Sequence, residues 1–266
     1  MAESKPVDRP ADMVPLRREG AVAVLTLSFP ARRNAYCLQM RTQLRERLEA
    51  AMADTEVRAL VLTGAGGHFC SGGDVSEMEQ RTLLQNRERW NLVTALIRLM
   101  ALGPKPIVAA VEGSAMGAGL SIASLSDYVV AARDAKFGAA FVKVGLMPDM
   151  GALWSVQQRV GPAKARELLG LARTFDGAEA GRIGLANEVV EPGQALERAI
   201  AVAQEYAALP PVASALLKSA LAQGVDSLDA AIRTEVEFQA VAMGSKDHAE
   251  AVRAFMEKRA PKFDGS

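Results

Sequence analysis

Two glycine-rich stretches hold the residues of this chain best placed for chemistry. They are His68-Phe-Cys-Ser-Gly-Gly-Asp-Val75 and Val111-Glu-Gly-Ser-Ala-Met-Gly-Ala-Gly-Leu120. Each lies after an apolar run, and the second opens a helix rich in small residues. Glycine and alanine at strand-to-helix turns leave backbone N–H groups unscreened, and a helix N-terminus adds a field that favours negative charge. Two such turns side by side can present two N–H donors to one carbonyl oxygen, an oxyanion hole built without a nucleophile. The plainer explanation of either turn alone is tight packing of helix on strand, with Asp74 as an N-cap. Asp149, after Pro148, reads from its spacing as a turn or cap residue.

Other chemistries fail on spacing. Gly64-x-Gly66 lacks a third glycine at Phe69, and Gly117-x-Gly119 lacks one at Ile122, so neither is a dinucleotide fingerprint. No glycine-lysine-serine/threonine triplet forms a P-loop, and no Gly-x-Ser-x-Gly elbow presents a nucleophile. His68 and Cys70 are close in sequence, but a structural metal needs four ligands and no second pair is near. We expect a loop histidine, a small buried thiol and no metal.

The elements that must position these turns alternate. Ala21–Leu27, Ala59–Leu62, Ile107–Val111, Tyr128–Ala132 and Asn187–Val190 read as strands, mostly buried. Between them Met40, Leu44, Leu48 and Met52 recur every four residues on an amphipathic helix. A second helical pattern runs from about Arg81 to Met100, with Leu92, Leu96 and Leu99 or Met100 on one face. Gly117–Leu125, Leu153–Val160 and Pro162–Leu171 also read as helix. Asp176 with Glu179 looks like a capping box opening a helix to Ile183. Beyond Pro192 only helices are expected: Glu197–Leu209, Val212–Gln223, Leu228–Met243 and Ala249–Lys258, with Asp247 and Glu250 as another capping pair. Alternation of this kind predicts an α/β fold with largely parallel strands and helices outside. Residues 1–19, polar and carrying Pro6, Pro10 and Pro15, read as a flexible leader.

Composition narrows the partners. The 266 residues are 50% hydrophobic and 23% charged, with mean hydropathy +0.08, as in a packed globular protein. Lys plus Arg and Asp plus Glu are both 31, and only 5% of residues are aromatic, which disfavours nucleic acid. The longest uncharged run, Ala59 to Gly73, is too short and polar to span a bilayer. The first residues show no secretory or transit signal. Cys37 and Cys70 alone argue for a reducing compartment. A cytoplasmic protein without membrane or nucleic-acid partner is expected.

Together the two turns resemble the signature segments of the crotonase, or enoyl-CoA hydratase/isomerase, superfamily. They do so through Phe69-Cys-Ser-Gly-Gly-Asp74 and Pro106 to Gly119. The likeness continues through Ser126-Asp127, Ala135 to Gly138, Gly145 to Asp149, Arg159-Val-Gly161, Leu168 to Thr174 and Ala180 to Val190. It implies a core of repeated ββα turns over 20–205 and a C-terminal helical oligomerisation segment over 206–266. The implied assembly is a homotrimer, or a hexamer of two trimers. The implied ligand is an acyl-CoA thioester, with coenzyme A part of the substrate and no separate cofactor. The resemblance puts the thioester oxygen between the N–H groups of Gly73 and Ala118, with Gly72 and Asp74 beside them. It places Ala31, Arg32 and Arg33 along the adenine and pantetheine. Alanine at 118, where the family often has glycine, keeps the N–H.

The chain departs from the family's hydratases. Their two glutamates correspond here to Ser121 and Phe141, neither of which titrates near neutrality. Asp149 corresponds to the aspartate of the family's isomerases, including those acting on dienoyl-CoA and ring-opened phenylacetyl-CoA-type substrates. Moving a double bond from β,γ to α,β needs one base, and one carboxylate is enough. The expected activity is enoyl-CoA isomerisation with Asp149 as base. The alternatives are an enoyl-CoA hydratase of fatty-acid β-oxidation or a related degradation, and a non-catalytic acyl-CoA-binding trimer.

Overall fold

The computed structural model describes residues 8–78 and 82–266. In chain order it contains β1 (Leu16–Glu19), β2 (Val22–Leu27), α1 (Leu38–Ala53), β3 (Ala59–Gly64), α2 (Leu83–Leu102), β4 (Ile107–Val111) and β5 (Ser114–Met116). There follow α3 (Ala118–Leu125), β6 (Tyr128–Ala132), β7 (Lys136–Gly138), α4 (Ala152–Leu171), β8 (Thr174–Asp176), α5 (Gly177–Arg182) and β9 (Glu188–Val190). Four helices complete the chain: α6 (Ala195–Ala207), α7 (Pro211–Gln223), α8 (Leu228–Met243) and α9 (Lys246–Met256).

The apolar runs form the expected buried strands because they have two faces to bury. The main sheet runs β1-β2-β3-β4-β6-β9, parallel throughout except for the β1–β2 pair. Successive side chains point to opposite faces. Leu25, Leu60, Leu62, Ile107 and Val129 enter the large core with α1, α2 and α3. Val22, Val24, Val61, Val108 and Val130 turn the other way onto Ala195, Ala199, Val202 and Ala203 of α6. A strand covered on both faces reads as a continuous apolar run, which is why these were visible in the sequence.

A second sheet, β5-β7-β8, was not expected. Its strands are three residues each, too short to show a period of two. The leader also differs. Met13 and Val14 are fully buried, Ser28 N–H donates to Met13 O at 2.8 Å, and β1 pairs antiparallel with β2. The sequence Leu-Arg-Arg-Glu has no apolar alternation; it is a strand because β2 offers it a free edge. Residues 1–7 of the expected leader lie outside the described residues, as does the expected helix start at Arg81.

Capping follows local chemistry. Thr82 and Gln85 form a reciprocal capping box at the start of α2. Asp176 accepts from Glu179 N–H as expected, but Glu179 itself turns to Arg182. Asp247 is not a cap. Ser245 caps α9, and Asp247, 2% exposed, accepts from the N–H groups of Asp264 and Gly265 and so fastens the C-terminus. The expected helix over Leu153–Val160 and Pro162–Leu171 is one element broken at Gly161 (φ +74°) before Pro162.

Beyond α6 the chain packs differently. Lys218 of α7 is buried and reaches Asp127 at 2.7 Å and Lys105 O at 2.9 Å, pinning α7 to the core. In contrast α8 has no buried residue, and Leu228, Ile232 and Val236 on it, with Phe255 and Met256 on α9, are exposed. No single helix among the described residues is long and apolar enough to cross a membrane.

Candidate active site

The two glycine turns lie against each other because their backbones are stitched together. Phe69 N–H donates to Glu112 O at 2.8 Å and Cys70 N–H to Ser114 O at 2.8 Å. Met116 N–H returns to Cys70 O at 2.9 Å. Helix α3 starts so close that a methyl group on Gly119 would sit 2.4 Å from Cys70 O, so only glycine fits there. Gly117 has φ +51° and ψ −117°. A methyl on it would lie 3.7 Å from Gly72 Cα and 3.9 Å from the Phe141 ring. Gly72, Gly117 and Phe141 therefore meet at one point.

The first turn is held from its other side by residues 29–36. Asn34 is fully buried; its Oδ1 accepts from Phe29 N–H, and its Nδ2 donates to Ala65 O and His68 O. Ser71 N–H donates to Arg33 O and Ser71 Oγ–H to Arg32 O. Tyr36 N–H donates to Gly72 O at 2.7 Å and Asp74 N–H to Tyr36 O at 3.4 Å. This parallel bridge uses the flanking residues, so the N–H of Gly73 itself points the opposite way. It donates to no acceptor among the described residues. Neither does Ala118 N–H, at the first position of α3, where a helix leaves its donors unpaired. Two unpaired N–H groups on adjoining turns can donate to one carbonyl oxygen.

The remaining expected residues take distinct places. Asp74 does cap: its carboxylate accepts from Ser76 N–H and Oγ–H and pairs with Arg9 at 3.2 Å. Burial pushes its pKa up, but the Ser76 hydrogen bonds and the Arg9 charge outweigh it and hold the pKa below the ordinary carboxylate value. Ala31 and Arg33 are exposed and Arg32 half-buried at the rim of the first turn. Ser121 is fully buried on α3 with its hydroxyl donating back to Gly117 O at 3.3 Å. Phe141 is buried beside Gly117. His68 is a loop histidine whose Nδ1 accepts from Ser114 N–H at 3.2 Å. Cys70 is fully buried, and burial pushes its thiol up to about 12.

Asp149 is not a cap. The N-cap of α4 is Gly151, and it is the main-chain carbonyl of Asp149 that accepts from Ala152 N–H. Its carboxylate Oδ1 is buried without a hydrogen-bond partner. Burial pushes its pKa up to about 6, against the pull of the Arg41 guanidinium.

Two further residues border the first turn without any mark in the sequence pattern. Tyr36 is fully buried, and Arg41, on α1, lays its guanidinium over the Tyr36 ring at 5.0 Å and donates to Tyr36 O at 3.2 Å. A methyl on Gly73 would lie 4.0 Å from Arg41 Nη2, so Arg41 borders the first turn, and its charge pulls the Asp149 pKa down against the effect of burial. Arg41 falls on the polar side of an amphipathic pattern, and nothing in that pattern separates it from solvated arginines.

Known proteins are similar to this one over nearly the whole chain. A family model described as enoyl-CoA hydratase/isomerase matches residues 17–266. The chain is 36% identical over 254 residues to the 1,2-epoxyphenylacetyl-CoA isomerase of Escherichia coli, covering 93% of this chain and 96% of that protein. It is 35% identical over 246 residues to the short-chain-enoyl-CoA hydratase of Clostridium acetobutylicum, covering 92% and 94%. The crystal structure of an enoyl-CoA hydratase from Bacillus anthracis superposes with a TM-score of 0.90 at 26% identity, over 96% of this chain and 100% of that one. With sequence and fold in agreement from β1 to the last residue, the chain belongs to the enoyl-CoA hydratase/isomerase family.

Proposed function

We propose that the protein isomerises an enoyl-CoA through a thioester enolate. The thioester oxygen accepts from Gly73 N–H and Ala118 N–H, with Gly72 and Asp74 shaping the first turn. Asp149 takes a proton from C2 of a 3-enoyl thioester. The C2–H electron pair moves into a dienolate whose negative charge rests on the thioester oxygen; when that charge returns, the C2–C3 double bond forms, the old C3–C4 pair takes the proton back from Asp149 at C4, and the 2-enoyl thioester results. The oxyanion pair lowers the barrier by stabilising charge that develops only during proton removal. Ala31, Arg32 and Arg33 pass the adenine and pantetheine, and the only coenzyme is the CoA of the substrate.

The observation that carries this reading is the Asp149 carboxylate, half-buried, with Oδ1 shielded from solvent and unpaired, and with its pKa pushed up by burial to about 6. A base poised near the working pH exchanges protons efficiently. Ser121 is tied to Gly117 O and Phe141 is apolar, so the positions of the hydratase glutamates offer nothing to activate water. A hydratase is the second reading, favoured by the Clostridium relative at nearly the same identity as the isomerase. Incubation with 3-enoyl-CoA and 2-enoyl-CoA in separate cuvettes decides: conjugation of the first without hydration of the second is expected. Efficient hydration of 2-enoyl-CoA overturns the isomerase, and turnover of neither leaves an acyl-CoA-binding trimer.

The uncovered apolar side chains of α7 to α9 support a homotrimer or a pair of trimers joined through residues 206–266. Two free buried thiols, Cys37 and Cys70, support a cytoplasmic setting.

A further inference from the structure

Arg41 stands apart from the other arginines of α1. Arg45 and Arg47 pair with Glu49 and Asp12 at the surface. Arg41 is half-buried and makes no ion pair among the described residues. A carbonyl and a ring hold it instead: Nη2 donates to Tyr36 O at 3.2 Å, and the guanidinium covers the buried Tyr36 ring at 5.0 Å, with Nε shielded from solvent and unpaired. A guanidinium drawn out of water without a carboxylate in contact is costly, so its place asks for a reason. Tyr36 O, which Arg41 holds, also accepts from Asp74 N–H at 3.4 Å, and Tyr36 N–H donates to Gly72 O at 2.7 Å. These two bonds flank Gly73 and turn its N–H outward. A methyl on Gly73 would lie 4.0 Å from Arg41 Nη2, so the guanidinium lies against the turn that it steadies. Its charge also reaches Asp149. The other titratable groups gathered at Tyr36 are its own phenol and the thiols of Cys37 and Cys70. Burial pushes the phenol up and the Cys70 thiol up to about 12, so both stay neutral. Among the described residues, Arg41 is the charge that faces Asp149.

We infer that Arg41, given the isomerase reading above on which this rests, is a positioning residue of the reaction: it clamps the Tyr36 carbonyl that aims Gly73 N–H, and it sets a fixed positive charge within reach of both the oxyanion turn and the base. It acts without touching substrate. When Asp149 takes the proton from C2, negative charge leaves the carboxylate and settles on the thioester oxygen. Arg41 reaches the group that gives up the charge and borders the turn that receives it, so its attraction is not forfeited as the charge crosses. A charge fixed in advance needs no reorganisation during the reaction. Before the reaction the same charge favours the ionised carboxylate against burial, which keeps the base ready at neutral pH.

Two variants separate the charge from the clamp. Arg41→Gln keeps a donor for Tyr36 O and drops the charge. The acid limb of its kcat/KM profile with 3-enoyl-CoA is expected to move up by about one pH unit, and an NMR titration of the Asp149 carboxyl carbon to move with it. Arg41→Lys keeps the charge and loses the planar fork that spans carbonyl and ring. Its acid limb is expected to hold, while kcat falls about tenfold at an unchanged KM because Gly73 N–H is no longer aimed. Thermal melting shows whether each variant is folded. An unmoved limb in Arg41→Gln, or a wild-type kcat in Arg41→Lys, overturns the inference. If one variant unfolds, the other still decides; if both unfold, Arg41 is a structural residue and the inference falls. A wild-type protein that does not turn over 3-enoyl-CoA defeats the isomerase reading and the inference with it, whereas the variant outcomes defeat the inference alone.

Discussion

The glycine turns and the C-terminal helices are incomplete in opposite ways. Around Gly73 the groups without a partner among the described residues are polar: two N–H donors on the main chain and buried side-chain atoms of Tyr36, Arg41 and Asp149. Along α8 and α9 they are apolar and exposed, with Leu228 75% and Phe255 82% accessible. A buried polar group is satisfied by a small ligand with complementary oxygens, whereas an exposed apolar face is satisfied by another protein surface. The contrast supports the proposed small-molecule site in one region and the proposed assembly surface in the other. Each assignment has a substitution that breaks it.

The largest effect is expected at Asp149. Asp149→Asn keeps the size of the side chain but cannot take a proton, so isomerisation should fall by about 10²–10⁴ while acyl-CoA affinity holds. Turnover of 3-enoyl-CoA within a few-fold of wild type would remove Asp149 as the base. Next comes the main-chain donor of Ala118. Proline is tolerated at the first position of a helix, so Ala118→Pro deletes the N–H with α3 retained. A loss of about 10²–10³ in kcat is expected, against a mild effect of Ala118→Gly. Full activity of a folded proline variant would separate Ala118 from the chemistry.

The pH profile sharpens the same point. The Asp149 carboxyl has its pKa raised from 3.8 to about 6, so the base is lost to protonation below pH 6 and kcat/KM should fall about tenfold per pH unit there. The stability effect has the reverse sense. A raised carboxyl pKa means that the folded state binds the proton more tightly, so its contribution is complete below 3.8 and is lost as pH rises through 6. Asp149→Asn should therefore melt higher than wild type at pH 8 and about equally at pH 3.5, as differential scanning fluorimetry would show. A variant that melts lower at pH 8 would mean that the carboxylate is structurally paired.

The assembly surface gives the smallest effect on a single site. Truncation before Pro210 should abolish trimers and solubility, but it also strips Lys218 from Asp127. Leu221→Glu is gentler, since Leu221 is 70% exposed, and should shift the protein toward monomer in light scattering with its melting temperature nearly unchanged. An unaltered mass for both variants would place the interface elsewhere.

Elements with two apolar faces or one clean stripe are legible from local pattern alone. β2, β3, β4 and β6 are continuous apolar runs because α6 covers the face that the large core does not, and α1 shows its core stripe at Met40, Leu44 and Leu48. Local pattern also marks the two glycine turns, because a helix start pressed onto Cys70 O admits no side chain at Gly119. The family resemblance singled out Asp149, which spacing alone read as a turn or cap residue. The rest depends on contacts between distant parts of the chain. β1 and the three-residue strands of the second sheet exist by pairing with a neighbour's free edge, which no local pattern records. Tyr36 and Arg41 become site residues through the fold: an aromatic beside a turn and an arginine on a polar helix face carry no mark of burial. Whether a polar atom finds a partner depends on groups brought from other parts of the chain, and that is settled when the chain packs.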